Sequence, residues 1–203
     1  MRFTNLVRQE KGWETVSAAT HWADKHLSVA TELVKTPTHS TPRPWTIVHR
    51  KAAVVIAPMT TSGEFLLIRQ ERVPIRATIW EMPAGQIDDN AEPNADEIRA
   101  VALRELHEET GYELAENGEL VPLGYFFSSP GFTDEHCYFF IARPVGRSAA
   151  HTPEEGEGIL ECRAFSSEAI GRMIADNEIR DSNTLSMCAR LAARGFLSLH
   201  LSR

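Results

Sequence analysis

The sequence predicts a mixed α/β fold, in which a mixed β-sheet packs between layers of helices and a small antiparallel β-segment lies at the N-terminus. Short apolar runs bounded by turn residues occur both before and after one strongly helical stretch between Asn94 and Gly111. Two further helical patterns follow the last of these runs. A chain of 203 residues, 42% of them hydrophobic, can bury a core of this kind.

The predicted strands begin in the first fifty residues, which contain two of them, at 26–34 and 44–50, around the turn-rich stretch KTPTHSTPR. Two strands without a helix are too few to fold alone, so this segment must dock against something. The later predicted elements are strands at 52–59, 64–72, 136–145 and 159–165, and helices at 166–175 and 182–195, the last of which stops at Gly195.

The central helix has clear predicted ends. Asn94, with Glu97 three residues later, fits an N-cap that forms a reciprocal capping box. Gly111 stands where a left-handed C-cap residue is expected. One side of the helix is expected to pack on the sheet while the acidic side faces a cleft. The packing side is expected to hold Leu103, Leu106 and Thr110.

The acidic side of this helix carries Glu105, Glu108 and Glu109, which lie on one face because positions i, i+3 and i+4 are neighbours on a helix. Like charges in this arrangement repel one another, and a search four residues away finds only Arg104, a turn before Glu108, as a compensating partner. A hard divalent cation is a natural source of neutralisation. The alternative is a solvated acidic face without a ligand.

The composition excludes several classes of function. A formal net charge of −7 argues against a broad binding surface for nucleic acid. The three cysteines show no zinc-binding spacing and are expected to be reduced core residues of a cytoplasmic protein. The N-terminal stretch lacks the apolar segment of a signal peptide, and the longest apolar run, at 52–58, is too short to span a membrane. We therefore expect a soluble protein that binds neither membranes nor nucleic acid.

A family resemblance rests on two stretches, EMPAGQID at 81–88 and RELHEETG at 104–111. Together they resemble the signature of the Nudix hydrolases, a glycine loop followed by a helix that ends in Arg-Glu-aliphatic-x-Glu-Glu-x-Gly. The resemblance implies the Nudix α/β/α sandwich and a substrate in which a nucleoside diphosphate is linked to another group. It also implies roles for five residues, with Arg104 orienting a carboxylate and a Mg²⁺ or Mn²⁺ ion bound by Glu105, Glu108, Glu109 and the Ala84 carbonyl.

Elementary chemistry agrees with this assignment. Divalent ions that bridge pyrophosphate oxygens neutralise charge and lower the pKa of a bound water. A donor set of oxygens alone suits Mg²⁺ or Mn²⁺ better than zinc. The chain departs from the signature because 18 residues separate Gly85 from Arg104, which is longer than usual, and because Asp96 or Glu97 takes the place of the usual helix-start glutamate.

Three further stretches resemble the ADP-ribose pyrophosphatase group of this family: LIRQERVP at 67–74, SSPGFTDE at 128–135 and RPWTIVHR at 43–50. The resemblance then covers roughly residues 20–195. It implies that Trp45 stacks on the base across a dimer interface, that Arg50 and Arg72 hold phosphates, and that the regions of Gln86 and Ser129 line a ribose pocket. The alternatives are a core or interface role for Trp45, an ordinary surface ion pair for Arg72, and a turn-shaping role for Ser129.

A general base is expected in the acidic, glycine-containing stretch HTPEEGEGILE at 151–161, since related enzymes take a glutamate from a mobile loop before the late strand. The offset from that strand favours Glu157. With Glu108 and Arg104, it completes the predicted catalytic set.

The predicted function is metal-dependent hydrolysis of ADP-ribose, or of a related nucleoside diphosphate sugar, at its pyrophosphate bond. A nucleotide-sugar hydrolase preferring ADP-glucose, GDP-mannose or UDP-glucose is the first alternative. The others are a non-catalytic ligand sensor, which would not need the three glutamates, and an RNA-decapping hydrolase, which the acidic charge disfavours.

Residues 1–50 are predicted to mediate dimerisation and base contacts, and residues 51–203 to form the hydrolase domain. The alternative for residues 1–50 is that they only cover the edge of their own sheet.

Overall fold

The computed structural model describes residues 11–87, 93–149 and 158–199, and it has ten strands and three α-helices in these ranges. The strands are β1 (Glu14–Ala23), β2 (Leu27–Thr36), β3 (His39–Arg50), β4 (Ala53–Thr60), β5 (Phe65–Arg72), β6 (Ala77–Glu81), β7 (Ala84–Gln86), β8 (Tyr112–Phe127), β9 (His136–Arg147) and β10 (Ile159–Phe165). The helices are α1 (Ala95–Thr110), α2 (Ser167–Ala175) and α3 (Ser182–Ala193).

The main sheet has seven strands, in the order β10-β5-β4-β9-β8, with β6 paired to β5 and β7 paired to β4. The β4–β9 pair is parallel and the other pairs are antiparallel, so the sheet is mixed. Alternate side chains of each strand point to opposite faces. On β4, Val54 and Ile56 pack with the α1 residues, whereas Val55 and Ala57 pack with residues of α2 and α3. The predicted sheet between helical layers is confirmed.

The N-terminal segment forms three antiparallel strands, β1-β2-β3, so the prediction of two strands was wrong. The missed strand, β1, is exposed along all ten residues, and an exposed strand has no buried face to impose an apolar alternation. The edge of β3 that does not pair with β2 attaches to the main domain. The Val48 amide donates to the Phe132 carbonyl at 2.8 Å, and Val48 forms an isolated parallel bridge with Thr133.

Three strands of the main sheet were also missed, namely β6, β7 and β8. The first two are short, and β7 falls inside the stretch interpreted as a loop. The third, β8, is 16 residues long but is interrupted near Asn117, which adopts a left-handed φ of 62° where the register with β9 shifts. Its exposed glutamates hide the alternation that would identify a strand.

Both predicted ends of α1 are confirmed. The Asn94 side chain accepts hydrogen bonds from the amides of Asp96 and Glu97, and the Glu97 carboxylate accepts one from the Asn94 amide at 2.8 Å. Gly111 follows the helix with a left-handed φ of 71°, and its amide donates to the His107 carbonyl. These bonds satisfy backbone groups that a helix end leaves without partners.

The expected division of α1 into an apolar and an acidic side was wrong in part. Leu106 and Thr110 are buried, but Leu103 is exposed, while Glu105 and Glu109 are only 4% and 6% exposed. Positions 98, 102, 105, 106 and 109 form one stripe on a helix, so the two carboxylates continue the packed stripe at its C-terminal end. They are buried because the 81–87 segment covers them.

The helices on the opposite face hold the other side of this segment. Thr184 of α3 is fully buried, and its hydroxyl accepts a hydrogen bond from the Met82 amide at 2.8 Å while donating to Asp181, the N-cap of α3. Gly195, the predicted stop of this helix, follows its end with a φ of +75°. Of the helices in the described ranges, none is long and apolar enough to cross a membrane.

The three cysteines are free thiols, two of them buried and Cys162 partly so. Burial raises the pKa of Cys137 to about 12, of Cys188 to about 12 and of Cys162 to about 11. Each therefore stays a thiol at neutral pH and behaves as a packing residue.

Candidate functional site

The centre of the candidate site is a close approach between β7 and the C-terminal end of α1. A Cβ atom added at Gly85 would lie 2.0 Å from Cδ of Glu105 and 2.1 Å from its Oε1. One residue earlier, the Ala84 amide donates to Oε2 of Glu109 at 2.7 Å. The glycine of the loop is thus required by the glutamate of the helix, because any side chain at position 85 would occupy the space of the Glu105 carboxylate.

Arg104 holds the outer side of the acidic cluster. Its Nη2 donates to Oε1 of Glu105 and its Nη1 donates to Oε2 of Glu108, each at 2.6 Å. The spacing of four residues predicts the contact with Glu108, but an arginine side chain is long enough to reach the adjacent carboxylate of Glu105 as well. One guanidinium therefore orients two of the three glutamates and offsets part of their charge.

The three glutamates are not equivalent in this arrangement. Glu105 and Glu109 are buried under the 84–86 strand, whereas the Glu108 side chain is 28% exposed beside Arg104. Accordingly, no three carboxylate, imidazole or thiol groups within 11–87, 93–149 and 158–199 converge as a ready-made metal centre. Mg²⁺ in proteins commonly uses one or two carboxylates and keeps several waters. Two buried carboxylates beside the glycine of β7, which has no Cβ, fit that demand.

A second ion pair lies at the start of the same loop. Arg72, at the end of β5, donates through Nε to Oε1 of Glu81 at 2.8 Å and through Nη2 to Oε2. Glu81 is 2% exposed, and its burial raises the pKa of its carboxyl, an effect that Arg72 opposes. Hydrogen bonding to Glu81 in turn raises the pKa of Arg72. The pair uses Nε and Nη2, which form one edge of the guanidinium, and does not involve Nη1.

Trp45 lies elsewhere, in a cavity of about 800 Å³ between the N-terminal sheet and the 127–134 segment. Its ring is 52% exposed, and three other exposed aromatic residues line the same cavity: Trp13, Phe127 and Phe132. The turn that begins at Ser129 closes one side, where the Ser129 carbonyl accepts from the amides of Phe132 and Thr133. No residue of α1 or of the 84–86 strand lines this cavity. Within one chain, Trp45 and the glutamates therefore belong to separate surfaces.

Arg50 pairs with the 128–135 segment of its own chain. Its Nη1 lies 2.9 Å from Oε1 of Glu135, whose Oε2 accepts a hydrogen bond from the Ser128 hydroxyl at 2.6 Å. The Arg50 amide donates to Oδ1 of Asp134 at 2.9 Å. The predicted phosphate ligand thus contacts its own chain, and Glu135 fixes both it and the Ser-Pro-Gly turn.

Two other predicted residues stand differently. Gln86 pairs with Ala53 through the backbone, and its side-chain nitrogen is buried without a hydrogen-bond partner in the described residues. Glu157 lies outside the described residues. Its neighbour Gly158 is anchored, since the Gly158 carbonyl accepts from the Glu71 amide at 2.9 Å, one residue before Arg72.

Sequence reasoning missed Glu81, Glu135 and His49. His49 bonds to carboxylates on both sides, with Nδ1 2.7 Å from Asp134 and Nε2 3.1 Å from Glu32. A signal was present in each case. Glu81 is the first residue of the stretch EMPAGQID and Glu135 is the last residue of SSPGFTDE. His49 lies four residues after Trp45, on the same face of a predicted strand.

The contact between Gly85 and Glu105 gives a test that needs no substrate. We expect Gly85→Ala to lower the free energy of unfolding by about 1–3 kcal/mol, the usual range for overpacking. In a Glu105→Ala background the same change should cost little, because the clashing carboxylate is gone. Urea unfolding of the two single variants and the double variant measures the coupling.

Gly131→Ala is the matched control, since an added Cβ at Gly131 meets nothing within 4 Å. Equal costs for Gly85→Ala in the two backgrounds would contradict the close approach.

Comparisons with known proteins agree with this geometry. The NUDIX domain model matches residues 48–187, more than half of the chain. The chain is 30% identical over 138 residues to the ADP-ribose pyrophosphatase of Bacillus subtilis (strain 168), covering 68% of this chain and 70% of that protein. It is 33% identical over 141 residues to the GDP-mannose pyrophosphatase of Klebsiella pneumoniae, covering 66% of each.

The fold also has a solved counterpart. The crystal structure of an ADP compounds hydrolase superposes with a TM-score of 0.72 over 94% of this chain and 100% of that chain, at 16% identity. At that identity the likeness concerns the fold alone. Together with the domain match and the contact between the glycine loop and the glutamate helix, these comparisons establish that the chain belongs to the Nudix family.

Proposed function

We propose that this protein hydrolyses the pyrophosphate bond of ADP-ribose, giving AMP and ribose 5-phosphate, in a reaction that requires Mg²⁺ or Mn²⁺. The observation that carries the proposal is the packing of Gly85 and Ala84 against Glu105 and Glu109. This packing buries two carboxylates beside the β7 backbone. If the helix face were only a solvated acidic surface, the carboxylates would instead lie in water. The ADP-ribose pyrophosphatases among its relatives support the choice of substrate.

Glu105, Glu109 and the Ala84 carbonyl are the groups that would hold the cation, with Glu108 as an outer ligand. When bound, the cation would neutralise pyrophosphate oxygens and lower the pKa of a water. Arg104 contributes by fixing Glu105 and Glu108 in one orientation through its two short hydrogen bonds. Gly85 contributes by having no side chain, because this lets the loop backbone lie directly against the Glu105 carboxylate.

The remaining chemistry belongs to groups near the end of β5. Arg72 is held by Glu81 through Nε and Nη2, and its Nη1 is proposed to donate to a phosphate oxygen. Glu157 is proposed to accept the proton of the attacking water. The assignment is supported by the next residue, Gly158, whose carbonyl accepts a hydrogen bond from the amide of Glu71, the residue before Arg72.

The base-recognition site is proposed to be the aromatic cavity that contains Trp45. Stacking between an aromatic side chain and a base is tolerant of base identity. GDP-mannose is therefore the second candidate substrate, and the relative from Klebsiella pneumoniae supports it. An assay of ADP-ribose, ADP-glucose, GDP-mannose and UDP-glucose with Mg²⁺, with products separated by chromatography, distinguishes these substrates.

The proposed compartment is the cytoplasm, which the three free cysteines support.

The proposed assembly is a homodimer in which the N-terminal sheet of one chain completes the site of the other. Support comes from β1, which is exposed throughout and carries Val16 and Trp22 at 47% and 51% exposure. Apolar surface of this kind is commonly covered by a partner. A two-fold dimer would also bring the Trp45 cavity of one chain to the glutamates of the other, which the single chain does not do.

The first test concerns the metal. Glu109→Gln should lower kcat by more than about 100-fold, since even changes to groups around metal ligands cost about 10–100-fold. EDTA should abolish activity and Mg²⁺ should restore it. Glu116→Gln removes the same charge from an exposed site on β8 and is the control. Full turnover in EDTA, or a Glu109→Gln variant as fast as the control, would contradict the metal assignment.

Water activation gives the second test. Glu157→Gln should lower kcat by about 10²–10⁴-fold, the usual contribution of a general base, with a smaller change in KM. Glu155→Gln is the matched control in the same stretch. Steady-state kinetics at saturating Mg²⁺ measures both variants. A reversed order would shift the assignment by two residues, and two unaffected variants would remove the base from this stretch.

The shared site is tested by mixing two defective proteins. Trp45→Ala should raise KM for ADP-ribose by about 10-fold or more, because stacking contributes about 1–3 kcal/mol. After subunit exchange with Glu109→Gln at equal concentrations, about a quarter of the sites should contain both wild-type residues and regain turnover at low substrate. Activity that stays at the mean of the two variants, or a fully active monomer in light scattering, would place each site within one chain.

A further inference from the structure

His49 occupies a junction between the N-terminal sheet and the main domain. It lies on β3, which is flanked by β2 on one side and by residues 132–134 on the other. Its Nε2 is 3.1 Å from Oε1 of Glu32, and its Nδ1 is 2.7 Å from Oδ2 of Asp134. The imidazole therefore spans the strand from one carboxylate to another.

A neutral imidazole cannot satisfy both contacts. It has one N–H donor and one acceptor nitrogen, whereas ionised carboxylates only accept. In either neutral tautomer, one ring nitrogen would point its lone pair at a carboxylate oxygen. Only the imidazolium donates from both nitrogens. With both carboxylates ionised, only a protonated ring can donate across both distances.

The two carboxylates are themselves fixed by further bonds. Oε2 of Glu32 accepts from the Thr15 hydroxyl of β1 at 3.2 Å. Oδ1 of Asp134 accepts from the Arg50 amide at 2.9 Å. The resulting network runs through β1, β2 and β3 into the 128–135 segment, so His49 joins all three N-terminal strands to the main domain.

We propose that His49 is a positioning residue that acts as an imidazolium, locking β3 to the 128–135 segment and so setting the positions of Trp45 and Arg50 for the nucleotide. The proposal rests on the function proposed above. His49 lines the cavity that contains Trp45, but in this account it acts through the strand that carries the two binding residues.

The surrounding charges favour the protonated ring. Burial lowers the pKa of His49, but hydrogen bonds and charge attraction from Asp134 and Glu32 outweigh burial, and the net shift is upward. The nearby Arg50 guanidinium is paired with Glu135, and Glu14 of β1 is paired with Lys35. A raised pKa in the docked state means that His49 stabilises docking fully below about pH 6.5, and that this stabilisation is lost as the pH rises through the docked-state pKa.

Two measurements test the lock without any substrate. NMR of the imidazole nitrogens should show both ring nitrogens of His49 protonated near pH 6, with a titration midpoint above about 6.5. Hydrogen exchange should show the Val48 and Arg50 amides, which attach β3 to the main domain, losing protection by about tenfold or more in His49→Gln. His39→Gln, the same change at the exposed start of β3, is the control and should leave both amides unchanged.

Kinetics tests the positioning role. Relative to His39→Gln, KM for ADP-ribose should be about tenfold higher in His49→Gln near pH 6, with kcat little changed. The difference should be smaller at pH 9 than at pH 6, because the wild-type ring loses its proton as the pH rises through the docked-state pKa. His49→Lys, which keeps a positive charge, should restore a low KM at both values. A neutral His49 near pH 6, or amides that His49→Gln leaves protected, would overturn the lock.

Altered protection with an unaltered KM would overturn the positioning role and leave a purely structural contact. If ADP-ribose is not hydrolysed at all, the proposed function fails, while the NMR and exchange results still decide whether the lock exists.

Discussion

The contact on which the site depends is the approach of Gly85 to Glu105. A Cβ at this position would lie 2.0 Å from the carboxylate carbon, so the loop can close over the helix only because residue 85 is glycine. The neighbouring bond from the Ala84 amide to Glu109 fixes the second carboxylate in the same closure. Burying two carboxylates together carries a desolvation penalty, which is offset by hydrogen bonds, by Arg104 and, in our account, by a divalent cation.

The rest of the fold holds this contact from two directions. On one face of the sheet, Ile98, Ala102 and Leu106 pack α1 onto β4 and so fix the position of the helix that carries the glutamates. From the other face, Thr184 accepts the Met82 amide and so fixes the segment that leads into the loop. The N-terminal sheet is attached separately, through the edge of β3 and the network around His49. The proposed metal site and the proposed base-recognition site thus rest on different supports.

The sequence predicted what local patterns determine. The capping box at Asn94, the stop at Gly111 and the strands β4, β5, β9 and β10 of the main sheet all follow from short-range spacing, and they are present. It failed where tertiary contact decides. The exposed β1 and the interrupted β8 have no regular apolar alternation. On α1 the packed stripe includes two glutamates, whereas Leu103 lies outside this stripe and is exposed. Glu135, which pairs with Arg50, and Asp134, which pairs with His49, lie more than eighty residues from those partners, beyond any local pattern.

The central claim, that the contact between the loop and the helix creates a divalent-cation site, is tested most directly by locating the ion. Crystals of the protein grown with Mn²⁺ should give an anomalous difference peak beside the carboxylates of Glu105 and Glu109, at oxygen distances of about 2.0–2.3 Å. The same peak should be absent in Glu109→Gln. A manganese peak elsewhere in an active protein, or undiminished occupancy in the variant, would contradict the account.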